Sequence, residues 1–211
     1  MRSAHKLLFP RLNQSLEMSL LKISDDFLRK EWNNEISRDL GGNAFTEFTN
    51  LELEKAQEYH VHTNTSAGNY RSFRLPVLLE QEIKKEINNS IVDDMNFYLQ
   101  IITSNSANQT YCLAPHIDPY RQASLMYNLV DDDVSTNFYT ALDKLNDSHT
   151  FNLNEISGPV ESYKFSMNNW WIMNNKSIHS VTNISKIRIA VSAPINQSYL
   201  DFYETNKNIC Q

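Results

Sequence analysis

The chain has 211 residues, 41% of them hydrophobic and 21% charged, with a formal net charge of −6. That length can bury a core without disulfide or metal staples. The acidic balance, with no cluster of Lys and Arg, argues against a nucleic-acid partner. Only four glycines are present, and neither G-x-G-x-x-G nor a Walker sequence occurs, which excludes glycine-rich phosphate loops.

Two cysteines, Cys112 and Cys210, make no disulfide framework and read as reduced thiols. The opening MRSAHKLLFPRLNQ has only Leu7, Leu8 and Phe9 as an apolar run before Pro10, too short for a signal core. No later apolar run reaches bilayer length. The expectation is a cytoplasmic protein with no membrane partner.

In chain order, Leu20, Ile23, Phe27, Leu28, Trp32 and Ile36 recur near helical spacing, predicting a helix over 16–40 that Gly41 and Gly42 stop. The polar stretch 56–76 follows, predicted as an irregular loop or short strands. Leu78, Leu79, Ile83, Ile87 and Ile91 then predict a second helix over 77–95. Past Met95 the period changes. NFYLQIIT, QTYCLAP, ASLMYNLV, TNFYTAL, VESYKFSM, WWIMN, HSVTN and KIRIAVSAPI are short runs rich in β-branched and aromatic residues, divided by polar turns. Helices followed by many short strands predict an α+β domain over 1–211. In it, 1–96 is a mainly helical support packed on one sheet, and 97–195 is a jelly roll, or double-stranded β-helix.

Within CLAPHIDPYRQASLMYNLV, His116 and Asp118 stand two apart. In an extended strand such residues share a face, so one imidazole and one carboxylate can offer two ligands to a metal. The best third ligand is His179, 61 residues beyond Asp118 and in a strand-like run. His5 sits near the terminus, His60 and His62 in the polar loop, and His149 in a run that reads as a turn. Arg188 lies nine residues after His179. If SVTNISKIRI folds as a hairpin turning near Asn183, Arg188 pairs with His179 across two strands, their Cβ atoms about 5 Å apart. A one-residue slip would reverse its face.

Two histidines and a carboxylate on one side of a metal form the facial triad of non-haem Fe(II) oxygenases. The array H-x-D, about sixty residues, H, nine residues, R resembles the 2-oxoglutarate- and Fe(II)-dependent dioxygenases over roughly residues 97–195. That resemblance implies Fe(II) bound by His116, Asp118 and His179, and Arg188 gripping the distal carboxylate of 2-oxoglutarate. It implies oxidative decarboxylation with O2, coupled to hydroxylation of a small molecule, amino acid or peptide side chain. Asp118 fills the position that halide needs in the related halogenases, which favours hydroxylation. Many such enzymes carry Ser or Thr two residues after the arginine; here that residue is Ala190. Ser192 is too far along the strand for the same carboxylate, so Tyr127 is the candidate second anchor.

Arg71, Arg74 and Tyr70 are candidates for meeting an anionic substrate at the pocket mouth. One of Trp170 and Trp171 must face inward. Two other readings stay open: a cupin-like metalloenzyme that uses the triad without 2-oxoglutarate, and a non-catalytic β-sandwich binding protein with structural histidines.

Overall fold

The computed structural model describes residues 2–33, 58–64, 68–103, 111–118, 121–130, 134–142, 151–182 and 187–211. Within them the chain runs β1 (Ala4–Leu7), α1 (Gln14–Asn33), β2 (Glu58–Asn64), β3 (Gly68–Arg74), α2 (Val77–Ile87) and β4 (Tyr98–Thr103). It continues through β5 (Tyr111–His116), β6 (Ala123–Asn128), β7 (Ser135–Tyr139), β8 (Glu161–Tyr163) and β9 (Trp170–Asn174). Last come β10 (Ile178–Thr182), β11 (Ile187–Ile195) and α3 (Tyr199–Thr205).

The strands form two antiparallel sheets. One has seven strands in the order β1-β9-β6-β11-β4-β3-β2; the other has four, β5-β10-β7-β8. Each of the eight runs that the sequence predicts as strands overlaps one, and that strand reaches at most a residue beyond the run. Among the described residues of the first part of the chain, β1, β2 and β3 join the large sheet beside the helices, and the predicted helix end at residue 40 with its Gly41 and Gly42 stop lies outside the described residues. Within the 56–76 stretch, β2 pairs antiparallel with β3, Asn64 standing opposite Gly68, and β3 pairs with β4.

Alternation along the central strands sorts the chain into layers. On β6, Leu125 and Tyr127 face one side; on β11, Ile189, Val191, Ala193 and Ile195 do the same. They meet Leu16 and Leu20 of α1, Ile83 and Ile87 of α2, and Tyr199 and Phe202 of α3. Each Leu or Ile fully buried there contributes about 1.5–3 kcal/mol. The opposite face holds Met126, Met173 and Ala190, which meet Phe138 of the small sheet and Phe165. The small sheet's outer face is covered by Ile156 packed on Tyr139 and Ile178. The result is a helical layer on a double-stranded β-helix.

The helix ends have local causes. Asn13 accepts from the Leu16 N–H at 2.9 Å and caps α1. The second helix stops at Ile87, short of the predicted Met95, because Asn88 turns left-handed at φ 47° and returns its N–H to Lys84. Asn89 then caps a 3-10 turn over Ser90–Val92, so Ile91 keeps its helical spacing without a helix. No helix among the described residues is long and apolar enough to cross a membrane.

The large sheet's outer edge at β1 is covered late in the chain. Leu8 N–H donates to Ile209, Gln211 N–H donates to Lys6, and Leu7 bridges Cys210.

Candidate metal centre

Strand β5 ends at His116, and β10 runs beside it with His179 directly opposite. Opposed residues of an antiparallel pair share a face, and the two imidazole centroids lie 4.4 Å apart. Asp118 lies two residues beyond the end of β5, held by the turn that follows β9. Its N–H donates to the Asn175 carbonyl at 3.1 Å, and Asn175 Nδ2 donates to its Oδ2. Arg121 adds a 2.8 Å ion pair to Oδ1.

The Nε2 of His116 is 4.0 Å from one Asp118 oxygen, and the Nε2 of His179 is 3.9 Å from the other. The three residues offer ligand atoms that all lie within 4.8 Å of one another. The far side of each ring is fixed. His116 Nδ1 donates to the Ala114 carbonyl at 2.7 Å, and His179 Nδ1 donates to the Ser177 carbonyl at 2.9 Å. A carbonyl only accepts, so both protons sit on Nδ1 and both Nε2 lone pairs point toward the carboxylate.

Charge is arranged to match. Burial works against ionising Asp118, but Arg121, His179 and His116 outweigh it and hold the carboxyl well below the usual carboxylate range. Burial and the neighbouring His116 lower His179 to about 4, so it is a neutral imidazole at pH 7. An ionised carboxylate and neutral imidazoles are the forms a metal needs, and two nitrogens with one oxygen suit Fe(II). The donor set fits the metal that the sequence implies.

Arg188 also reaches the interior, by a route the sequence reading missed. The expected hairpin does not form: β10 pairs with β5 and β7, whereas β11 pairs with β4 and β6. The two strands belong to opposite sheets. His179 meets Phe138 on its inner face at 6.0 Å, and Phe138 packs with Ala190, which shares the face of Arg188. Arg188 is 3% exposed, with its guanidinium carbon 5.8 Å from the centroid of Phe165.

Tyr127 is corrected. It lies on the helix side of the large sheet, the face opposite the triad, because it is an odd-numbered neighbour of the inward Met126 and Asn128. Its hydroxyl donates to Glu17 and accepts from the Leu12 N–H at 3.3 Å. It is a core tyrosine.

Trp170 is wholly buried among the helices and donates to the Pro10 carbonyl, whereas Trp171 faces inward against Phe165 at 5.0 Å. Arg74 is engaged by Glu80 and Asn96 at a sheet corner. His5, in β1, stacks on Tyr203 of α3, and Ser192 is buried on the Arg188 face. His60 and His62 lie on β2, the far edge of the large sheet; His149 falls outside the described residues, as do the side chains of Tyr70 and Arg71. Sequence reasoning missed Arg121 and Asn175. Nothing in the Asn-Asn-Lys-Ser sequence marks Asn175 as a partner of Asp118.

No family model and no curated protein matches this sequence. Solved structures do share the fold. The chain is similar to the non-haem alpha-ketoglutarate-dependent epimerase SnoN from nogalamycin biosynthesis, with a TM-score of 0.50 and 11% identity over 90% of this chain and 75% of that one. The carbocyclase SnoK from nogalamycin biosynthesis gives 0.49 and 9% over 91% and 78%. A Pseudomonas putida prolyl-4-hydroxylase gives 0.46 and 10% over 93% and 94%. The likeness to SnoN is one of fold, and within that fold this chain brings His116, Asp118 and His179 together.

Proposed function

We propose that this chain is a 2-oxoglutarate- and Fe(II)-dependent oxygenase that hydroxylates a small molecule, amino acid or peptide side chain. The observation that carries the reading is the convergence of His116, Asp118 and His179, with both Nδ1 atoms pinned and both Nε2 atoms turned to one carboxylate. The buried Arg188 on the facing sheet supports it, since a planar guanidinium matches the distal carboxylate of a dicarboxylic co-substrate.

Iron with 2-oxoglutarate would supply O2 activation, coupled to decarboxylation of the oxo acid to succinate and CO2, and C–H oxidation of the substrate. The chain's own contribution is placement. His116 and His179 would hold the metal through Nε2, and Asp118 would complete the set. Asn175 and Arg121 keep the carboxylate from rotating, and the Ala114 and Ser177 carbonyls keep the tautomers. Arg188 would fix the far end of the co-substrate in an interior lined by Met126, Phe138 and Phe165, which excludes water.

Asp118 disfavours a halogenation outcome. Epimerisation, the activity named for SnoN, inverts a stereocentre and adds no oxygen to the product. The test is a substrate screen that follows succinate release and product mass together. The reading expects succinate dependent on iron and 2-oxoglutarate, and a product heavier by one oxygen drawn from O2. A product of unchanged mass would replace hydroxylation by epimerisation. Metal-dependent turnover with no succinate would favour the cupin-like enzyme. Arg188→Ala should keep the metal while 2-oxoglutarate affinity falls by roughly 2–5 kcal/mol, and Arg188→Lys should recover only part.

A further inference from the structure

The interior beside the triad holds a chain of rings. Phe138 lies 6.0 Å from His179, and Tyr163 meets Phe138 edge-on at 5.8 Å. Tyr163 in turn lies 6.4 Å from Trp171 and 6.2 Å from Phe165, which stacks on Trp171 at 5.0 Å. One phenyl ring therefore separates the His179 imidazole from a phenol. Packing alone does not call for these residue types. Phe138 and Phe165 show that phenylalanine fills this space, whereas the Nε1 of Trp171 is buried with no hydrogen-bond partner among the described residues. Buried indole N–H groups are normally paired.

Tyr163 differs from its neighbours in two ways. It is only partly buried, so its ring joins the interior to solvent on the edge strand of the small sheet. It also has a carboxylate beside it. Glu161 shares its face of β8 and stands opposite Phe138, as Tyr163 stands opposite Thr136. The Oε2 of Glu161 accepts from the Ser3 N–H at 2.7 Å, which fixes the carboxylate in the seam between β8 and the start of β1. Burial first, then the charge and hydrogen bond of Glu161, raise the Tyr163 pKa, so the phenol keeps its proton at neutral pH. Of the rings in this cluster, only the indole and the phenol give up an electron readily. The phenol does so with a base at hand, because oxidation turns it into a strong acid.

Resting on the oxygenase reading above, we propose that Tyr163 is an electron outlet that protects the metal centre when O2 is activated with no substrate in place. The oxidising equivalent left at the metal takes one electron from Tyr163 across Phe138. The phenolic proton passes to the Glu161 carboxylate and leaves a neutral tyrosyl radical; no bond to carbon forms or breaks. A one-electron reductant in solution, of the hydroquinone class, returns the electron at the exposed edge of the ring, and Glu161 returns the proton. Trp171, in ring contact with Tyr163, drains outward by the same route. The side chains that hold the metal are thereby spared.

The experiment exposes Fe(II)-loaded protein with 2-oxoglutarate to O2 in the absence of substrate. Succinate is measured, together with the radical signal by freeze-quench electron paramagnetic resonance and side-chain oxidation by peptide mass spectrometry. The parent should form succinate and a tyrosyl signal that deuterated tyrosine narrows and hydroquinone quenches. Tyr163→Phe, which keeps the ring, should lose that signal at unchanged Tm and metal affinity, while oxidation of His116, His179 and Phe138 rises several-fold. Glu161→Gln, which keeps Tyr163, should slow the appearance of the signal several-fold, and it carries the test if Tyr163→Phe does not fold. A tyrosyl signal that persists in Tyr163→Phe, or one that forms as fast in Glu161→Gln, overturns the outlet. So does a parent that binds 2-oxoglutarate yet gives no succinate, or gives succinate without a tyrosyl signal. A parent that fails to bind 2-oxoglutarate in anaerobic titration overturns the co-substrate reading instead, and the outlet with it.

Discussion

Replacing Asn175 with Ala removes one hydrogen bond to the Asp118 carboxylate, the proposed metal ligand, and little else. The side chain is buried, with the residue 1% exposed, and its Nδ2 donates to Asp118 Oδ2. The two backbone bonds at this position, from Asp118 N–H to its carbonyl and from its N–H to Gln122, survive truncation. A hydrogen bond to a charged group contributes about 1.5–3 kcal/mol. Arg121 still holds Oδ1 at 2.8 Å, so the carboxylate is freed to swing and is not lost from the site. Outer-shell partners of this kind typically control metal affinity 10–100-fold, or about 1.4–2.8 kcal/mol at 1.4 kcal/mol per decade, which agrees with the bond's own energy. The assay is competition for Co(II) against a chromophoric chelator, with Tm measured in parallel. Affinity within twofold of the parent, at unchanged Tm, would refute the view that Asn175 presents Asp118 to a metal.

Tyr127→Phe should destabilise the fold by about 1–3 kcal/mol in urea unfolding, since it leaves Glu17 and the Leu12 N–H short of a partner. The same variant should bind 2-oxoglutarate as the parent does; weakened binding would return Tyr127 to the pocket. Leu125→Ala, at a wholly buried position of the helix-facing core, should cost about 2–5 kcal/mol with the urea m-value unchanged. Burial lowers the pKa of His5 below its ordinary 6.5, with Arg2 adding to the effect and Gln211 and Glu161 opposing it. The unfolded chain therefore takes up this proton first: the stability tied to a neutral His5 is complete above pH 6.5 and declines as pH falls below it. His5→Phe should flatten the fall of Tm between pH 6.5 and 5, and an identical slope would exclude His5 as a source.

The strands were legible because the period-2 pattern is local. ASLMYNLV alternates within itself, and β6 falls inside that run. Pairing is not local, and this is where the hairpin reading of SVTNISKIRI failed. Adjacent strands with a short connection make a hairpin by default, and nothing in those residues reveals that β10 and β11 enter opposite sheets. The triad was legible because His116 and Asp118 are two apart and His179 is the one distant histidine in a strand-like run. Its supports were not. Asn175 looks like any turn asparagine, and its value comes from a carboxylate 57 residues earlier in the chain. Tyr127 was misplaced for a related reason. The sequence shows that it alternates with Met126 and Asn128, but which set faces inward depends on where the helices pack.

The covering of β1 by residues 207–211 bears on how the chain reaches this fold. A seven-stranded sheet has two open margins, and an open margin invites pairing with another chain. At β1 the closure is made by the Leu7–Cys210 bridge and by backbone bonds from Leu8 and Gln211, while His5 meets Gln211 across 206 residues. Contacts of such separation must overcome a large loop-closure entropy and tend to form late. Until they do, the margin stays exposed on an otherwise assembled sheet. The interval between sheet formation and arrival of this last segment is therefore when the chain is most prone to self-association. Removal of residues 207–211 would make that exposure permanent, so aggregation should rise with protein concentration even where the triad is untouched.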